Sequence, residues 1–150
     1  IGEIRDRETM EAVLKLCNTG HLAISTLHAN NANQAIERVI NLFPQDLHKQ
    51  LFMDLSLNLR AVVSQRLVKG MDGKRIAATE ILVNTPHIAD LILKGEIHEL
   101  KKAMESSGMR GMQTFDMALH TLLKEERIEL DEALGNADSR TNLEATINFG

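Results

Sequence analysis

A chain of 150 residues, 43% of them hydrophobic, can close one core, and 3% aromatic content without Trp or Tyr makes that core aliphatic and Met-rich. The net charge of −4, with no basic stripe, argues against a nucleic-acid binder, because phosphate affinity rests on clustered Lys and Arg. The single Cys17 excludes an internal disulfide framework and fits a reducing cytosol, and no apolar run reaches the roughly 20 residues that cross a bilayer.

The opening phrase Ile1-Gly2-Glu3-Ile4-Arg5-Asp6 reads as the end of a strand, so the sequence is expected to be a piece of a longer chain. Residues 7–18 place Met10, Val13, Leu14 and Cys17 at helical spacing, and Gly20 stops the helix. Residues 21–28 are too short for another helix and read as a buried strand. Ile36, Val39, Ile40 and Phe43 then mark an amphipathic helix closed by Pro44, and Leu47, Leu51 and Leu55 mark the next. Residues 61–69 and 75–84 read as two strands of a hairpin turning at Asp72-Gly73.

From residue 85 every segment reads as helix. Thr85 is an N-cap with Pro86 at the first helical position, and Ile88, Leu91 and Ile92 form its apolar face before Gly95. Ile97, Leu100 and Met104 repeat the spacing, and Phe115, Ala118, Leu119, Leu122 and Leu123 make the strongest stripe. Shorter helices cover residues 130–136 and 140–147. The expected fold is α/β over residues 1–84 with an antiparallel addition, followed by a small helical subdomain over residues 85–150. The seven Met residues read as core filler, and Glu125-Glu126-Arg127 as a solvated helix end.

Two side chains stand where an open α/β sheet receives ligands, beyond the carboxyl ends of strands. Glu3 there can position or activate a water for attack on a phosphoryl group. His28, which ends the second strand, can sense a terminal phosphate by hydrogen bonding. The same residues also read as a surface Glu in a charge cluster with Arg5 and Asp6, and a His in a turn. His21 starts the strand that His28 ends, so a regular strand, at about 3.3 Å per residue, keeps the two from sharing one phosphate. It therefore works at an interface or is structural. Gly73-Lys74-Arg75 is not a phosphate-binding loop, since Val68 and Arg75 stand where Gly and Ser or Thr belong and its setting is a hairpin. Zinc-ligand spacing, a C-x-x-C pair and a nucleophile elbow are likewise missing from the sequence.

In their order and spacing, Gly2-Glu3-Ile4-Arg5-Asp6 and Thr19-Gly20-His21-Leu22 with Ser25-Thr26-Leu27-His28 resemble an atypical Walker B end and the His box of the secretion ATPase superfamily. Within it they are most similar to the type IV pilus retraction ATPases of the PilT and PilU type. The likeness continues through Ser64-Gln65-Arg66-Leu67, Ala78-Thr79-Glu80-Ile81 and Gly111-Met112-Gln113-Thr114-Phe115-Asp116. The resemblance implies a partial RecA-like (P-loop NTPase) domain, with residues 1–84 as the carboxy-terminal part of its core. It implies catalytic roles for Glu3 and His28, and nucleotide-sensing or interface roles for His21 and Arg5, with no direct metal ligand. ATP and Mg2+ are the implied cofactors. The implied partners are other copies in a homo-hexamer, a paralogous retraction ATPase, and an inner-membrane platform protein, with no nucleic acid and no zinc. The implied place is cytoplasmic, peripheral at the inner membrane, and the implied work is pilus retraction and twitching motility. The Walker A loop and interface arginines of that family are expected upstream of Ile1, so this stretch alone is not expected to hydrolyse ATP. Cys17 standing alone, where assembly and type II secretion relatives often carry four zinc-binding Cys, favours the retraction branch over those alternatives. Asn30-Asn31-Ala32-Asn33-Gln34-Ala35, and Ala89-Asp90 in place of the Arg-Asn of a PilT helix motif, favour the PilU type. A non-catalytic docking domain is the remaining alternative.

Overall fold

The computed structural model describes residues 1–149; residue 150, the last of the expected helical subdomain, lies outside the described residues. Helix α1 spans Arg7–Asn18, α2 Ala32–Asn41, α3 His48–Asn58, strand β1 Ala61–Lys69, β2 Arg75–Val83, α4 Pro86–Lys94, α5 Leu100–Ser106, α6 Phe115–Lys124, α7 Leu130–Asn136 and α8 Arg140–Phe149. Short 3-10 turns at Gln45–Leu47 and Ile97–Glu99 lead into α3 and α5. The helix starts follow local chemistry: Asp6, Asn31, Thr85 and Thr114 each accept a backbone N–H of the first turn of α1, α2, α4 and α6. Gly95 ends α4 in the left-handed conformation, φ 74°, and a Cβ there would meet the Phe52 ring at 3.0 Å.

β1 and β2 form an antiparallel hairpin running from Ala61↔Val83 to Lys69↔Arg75, with Gly73 at φ 77° in the turn. Residue 113 adds an antiparallel bridge to β2 at Ile81, so the region after residue 85 is not wholly helical. Residues 21–28 depart from the expected buried strand. They run extended but pair only through one parallel bridge, Glu3↔Thr26, with Ile4 N–H donating to the Thr26 carbonyl and Thr26 N–H to the Gly2 carbonyl, both at 2.9 Å. Among the described residues nothing covers their outer face, and Leu22 and Ile24 are each 75% exposed. A buried strand needs a layer on both faces.

One apolar core runs across residue 85, joining Met10, Leu14, Ile36, Val39, Leu51 and Leu55 to Ile88, Ile92, Leu100 and Met104. A second gathers Phe115, Leu119, Leu122, Ile128, Leu134 and Leu143 against Val68 and Ala78 of the hairpin. The aliphatic character is as expected, but the Met residues split. Met10, Met104 and Met112 are buried, whereas Met53, Met71, Met109 and Met117 are exposed and fill no core.

Candidate functional site

The bridge between residues 3 and 26 decides what faces what. In an extended chain alternate side chains share a face, so Glu3 and Arg5 on one segment stand beside Thr26 and His28 on the other. The structure brings them together. His28 Nε2 lies 3.1 Å from Glu3 Oε1, with the Glu3 side chain 21% and the His28 side chain 81% exposed. Arg5 donates from Nε to Glu3 Oε2 at 2.7 Å. That bond is the largest influence on Glu3 and lowers its pKa from the ordinary carboxylate value; partial burial opposes it, and the charges of Arg5, His28 and Arg38 add to it.

Asp6 belongs to a different task, capping α1 through Thr9 N–H at 2.8 Å. His21 stands at the far end of the extended segment, its Nδ1 3.1 Å from Thr19 Oγ1, and does not join Glu3 and His28.

Sequence reasoning assigned no role to three residues around this loop. Arg38 on α2 donates to the His28 carbonyl at 3.1 Å. Arg66 on β1 reaches the Asn30 carbonyl at 3.4 Å, pairs with Asp138 at 2.6 Å, and stacks 3.9 Å over the Phe115 ring. Glu80 on β2 is buried and accepts Ala32 N–H at 2.7 Å. The signal was available for two of them. Hairpin positions 62, 64, 66, 68 and 76, 78, 80, 82 share the inward phase, so Arg66 and Glu80 are charges written into an apolar alternation.

The arrangement is an oriented carboxylate next to an imidazole, at the carboxyl end of paired extended segments, where open α/β sheets receive ligands. A family model described as Type II/IV secretion system protein matches residues 1–87, the stretch that carries Glu3, His21 and His28, and the chain belongs to that family. Type IV pilus ATPase PilU of Pseudomonas aeruginosa is 55% identical over 151 residues, covering 100% of this chain and 40% of the relative. The Type IV pilus retraction ATPase PilT of the same organism is 38% identical over 133 residues, covering 89% of this chain and 39% of the relative. The solved structure of the pilus retraction motor PilT with bound ADP matches with a TM-score of 0.85 at 34% identity, over 95% of this chain and 40% of that one. The resemblance to the PilT and PilU type and the partial RecA-like fold are borne out. The chain spans about 40% of the length of these relatives.

Proposed function

We propose that this chain is the part of a pilus-motor ATPase that presents Glu3 and His28 to the terminal phosphate of MgATP. The observation that carries this reading is the 3.1 Å approach of His28 Nε2 to Glu3 Oε1, made by two segments separated by α1. A carboxylate with a lowered pKa is a poor proton abstractor at neutral pH but a good acceptor for a water O–H. Glu3 therefore orients and polarises the attacking water, while His28, mostly exposed, turns to hydrogen-bond the phosphate. Arg5 keeps Glu3 ionised and aimed, and Arg5 and His21 serve nucleotide sensing or a subunit interface.

The phosphate cradle is supplied by residues outside this sequence, which contains no G-x-x-x-x-G-K-[ST] match. Residues 1–84 form the carboxy-terminal part of the ATPase core and residues 85–150 a helical part sharing its interior. In this proposal the assembled protein is a hexameric ring, alone or with a paralogous ATPase. It works against an inner-membrane platform protein at the cytoplasmic face and drives pilus retraction and twitching motility. Among the described residues no helix is long and apolar enough to cross a membrane. The test is Glu3→Gln in the full-length protein: MgATP turnover falls about 100-fold or more while ATP is still bound. Turnover that survives the substitution overturns the reading.

A further inference from the structure

The Glu3–His28 pair is placed by its surroundings. Between His28 and the start of α2 only three residues intervene, and three contacts pin that run. Two come from exposed or half-buried guanidinium groups: Arg38 on the His28 carbonyl at 3.1 Å and Arg66 on the Asn30 carbonyl at 3.4 Å. The third is buried, the 2.7 Å bond from Ala32 N–H to Glu80 Oε1.

Glu80 is 3% exposed, and no cation bonds it directly. Burial pushes its pKa up, and the bond from Ala32 N–H opposes that only in part. Ala32 is the first residue of α2, so the amino end of that helix rests on the Glu80 carboxyl group. The cation whose charge acts on it, Lys101, is bonded to Asp138 at 3.0 Å. For stability alone, a well-packed apolar side chain serves such a place as well or better, since a buried charge carries a desolvation cost. The carboxyl group does something an apolar group does not: it fixes the start of α2 in direction and distance relative to β2.

We infer that Glu80 is a positioning residue for the Glu3–His28 pair, clipping the amino end of α2 to the hairpin so that His28 stands against Glu3. The inference deepens the proposed function and rests on that reading of the pair. It also makes the clip a mechanical link, because a shift of the hairpin is passed through Glu80 to the loop that carries His28.

The test uses the full-length protein with Glu80→Ala, Glu80→Gln, His28→Ala and the Glu80→Ala/His28→Ala double variant. MgATP turnover and amide hydrogen exchange are measured on each. Glu80→Ala is expected to lower kcat about 10- to 100-fold with KM nearly unchanged, the scale of a misplaced catalytic group. Glu80→Gln, whose amide oxygen still accepts Ala32 N–H, restores most of that loss. In the His28→Ala background Glu80→Ala lowers turnover no further, which a merely structural role would not produce. Exchange over residues 28–34 rises in Glu80→Ala while α1 keeps its protection. Should Glu80→Ala fail to fold, Glu80→Asp, one methylene shorter but still charged, is expected to show the same losses in milder form. Unaltered turnover and exchange in the Glu80 variants, or an equal loss with and without His28, overturns the inference. Unaltered turnover in His28→Ala alone sinks the site reading instead, and the exchange over residues 28–34 then decides the clip by itself.

Discussion

Arg5 and His28 divide the Glu3 carboxylate between them: Arg5 holds Oε2 from Nε at 2.7 Å, and His28 stands 3.1 Å from Oε1. The Arg5 bond is the main reason the Glu3 pKa lies below its reference of 4.5. Arg5→Ala is therefore expected to move the Glu3 titration upward, read directly from the side-chain carboxyl carbon by NMR. A depressed pKa stabilises the fold above the unfolded value and loses that contribution as pH falls through the folded value. The Arg5→Ala variant should thus be less stable than the parent at neutral pH and indistinguishable once Glu3 is protonated. A titration that stays put would show that Arg5 does not set this carboxylate.

Asp138 offers a second pH test. Burial pushes its pKa up, but hydrogen bonds and charges from Lys101 and Arg66 outweigh that and leave it below 3.8. Asp138→Asn is expected to cost about 2 kcal/mol at neutral pH, the scale of a charge-assisted hydrogen bond. That penalty should shrink as pH falls through the depressed folded value, followed by urea unfolding. A penalty that is flat with pH would assign the loss to packing.

Thr114 is fully buried and caps α6 by accepting Met117 N–H at 3.3 Å. Removing the hydroxyl leaves that N–H without its partner, so Thr114→Ala should lower stability by about 1 kcal/mol. Urea denaturation midpoints at constant slope provide the measurement, and a neutral result would mean the cap is redundant.

Leu22 and Ile24 face outward from a segment paired on one side, and Leu22 borders a groove that Met10, Leu14, Leu55 and Leu59 also line. An extended apolar edge with free backbone groups recruits other strands. The 150-residue chain is expected to self-associate. Leu22→Lys with Ile24→Lys should shift it toward monomer by sedimentation velocity, whereas a monomeric parent would remove the basis for this expectation.

The same chain on its own is expected to show no MgATP turnover, since its sequence contains no phosphate-binding loop. A phosphate-release assay checks this. Turnover abolished by Glu3→Gln would mean that Glu3 needs no such loop to work.

The helices and the hairpin were legible before any coordinates, because caps, stop residues and periodicity act over a few residues. Thr85, Gly95 and Asp72-Gly73 each do locally what their residue type dictates, and the limits of α1 fall at the expected residues. Glu3 and His28 were also legible, but as two positions with plausible chemistry at two strand ends. That they face a shared pocket was expected too, but their direct 3.1 Å contact was not, because it depends on the Glu3↔Thr26 pairing rather than on either segment.

Sequence alone settled the helices and the hairpin, their order, the aliphatic interior and the family its motifs resemble, since each of these is carried by neighbouring residues; the expected strand over residues 21–28 was not among them. Tertiary packing alone decided that Glu80 is buried against the amino end of α2, that Arg66 stacks on Phe115, that Leu22 and Ile24 stay uncovered and that one core ignores the change of texture at residue 85. Those outcomes turn on which distant surfaces meet, and the burial of a charge or exposure of an apolar side chain depends on that meeting, not on local pattern.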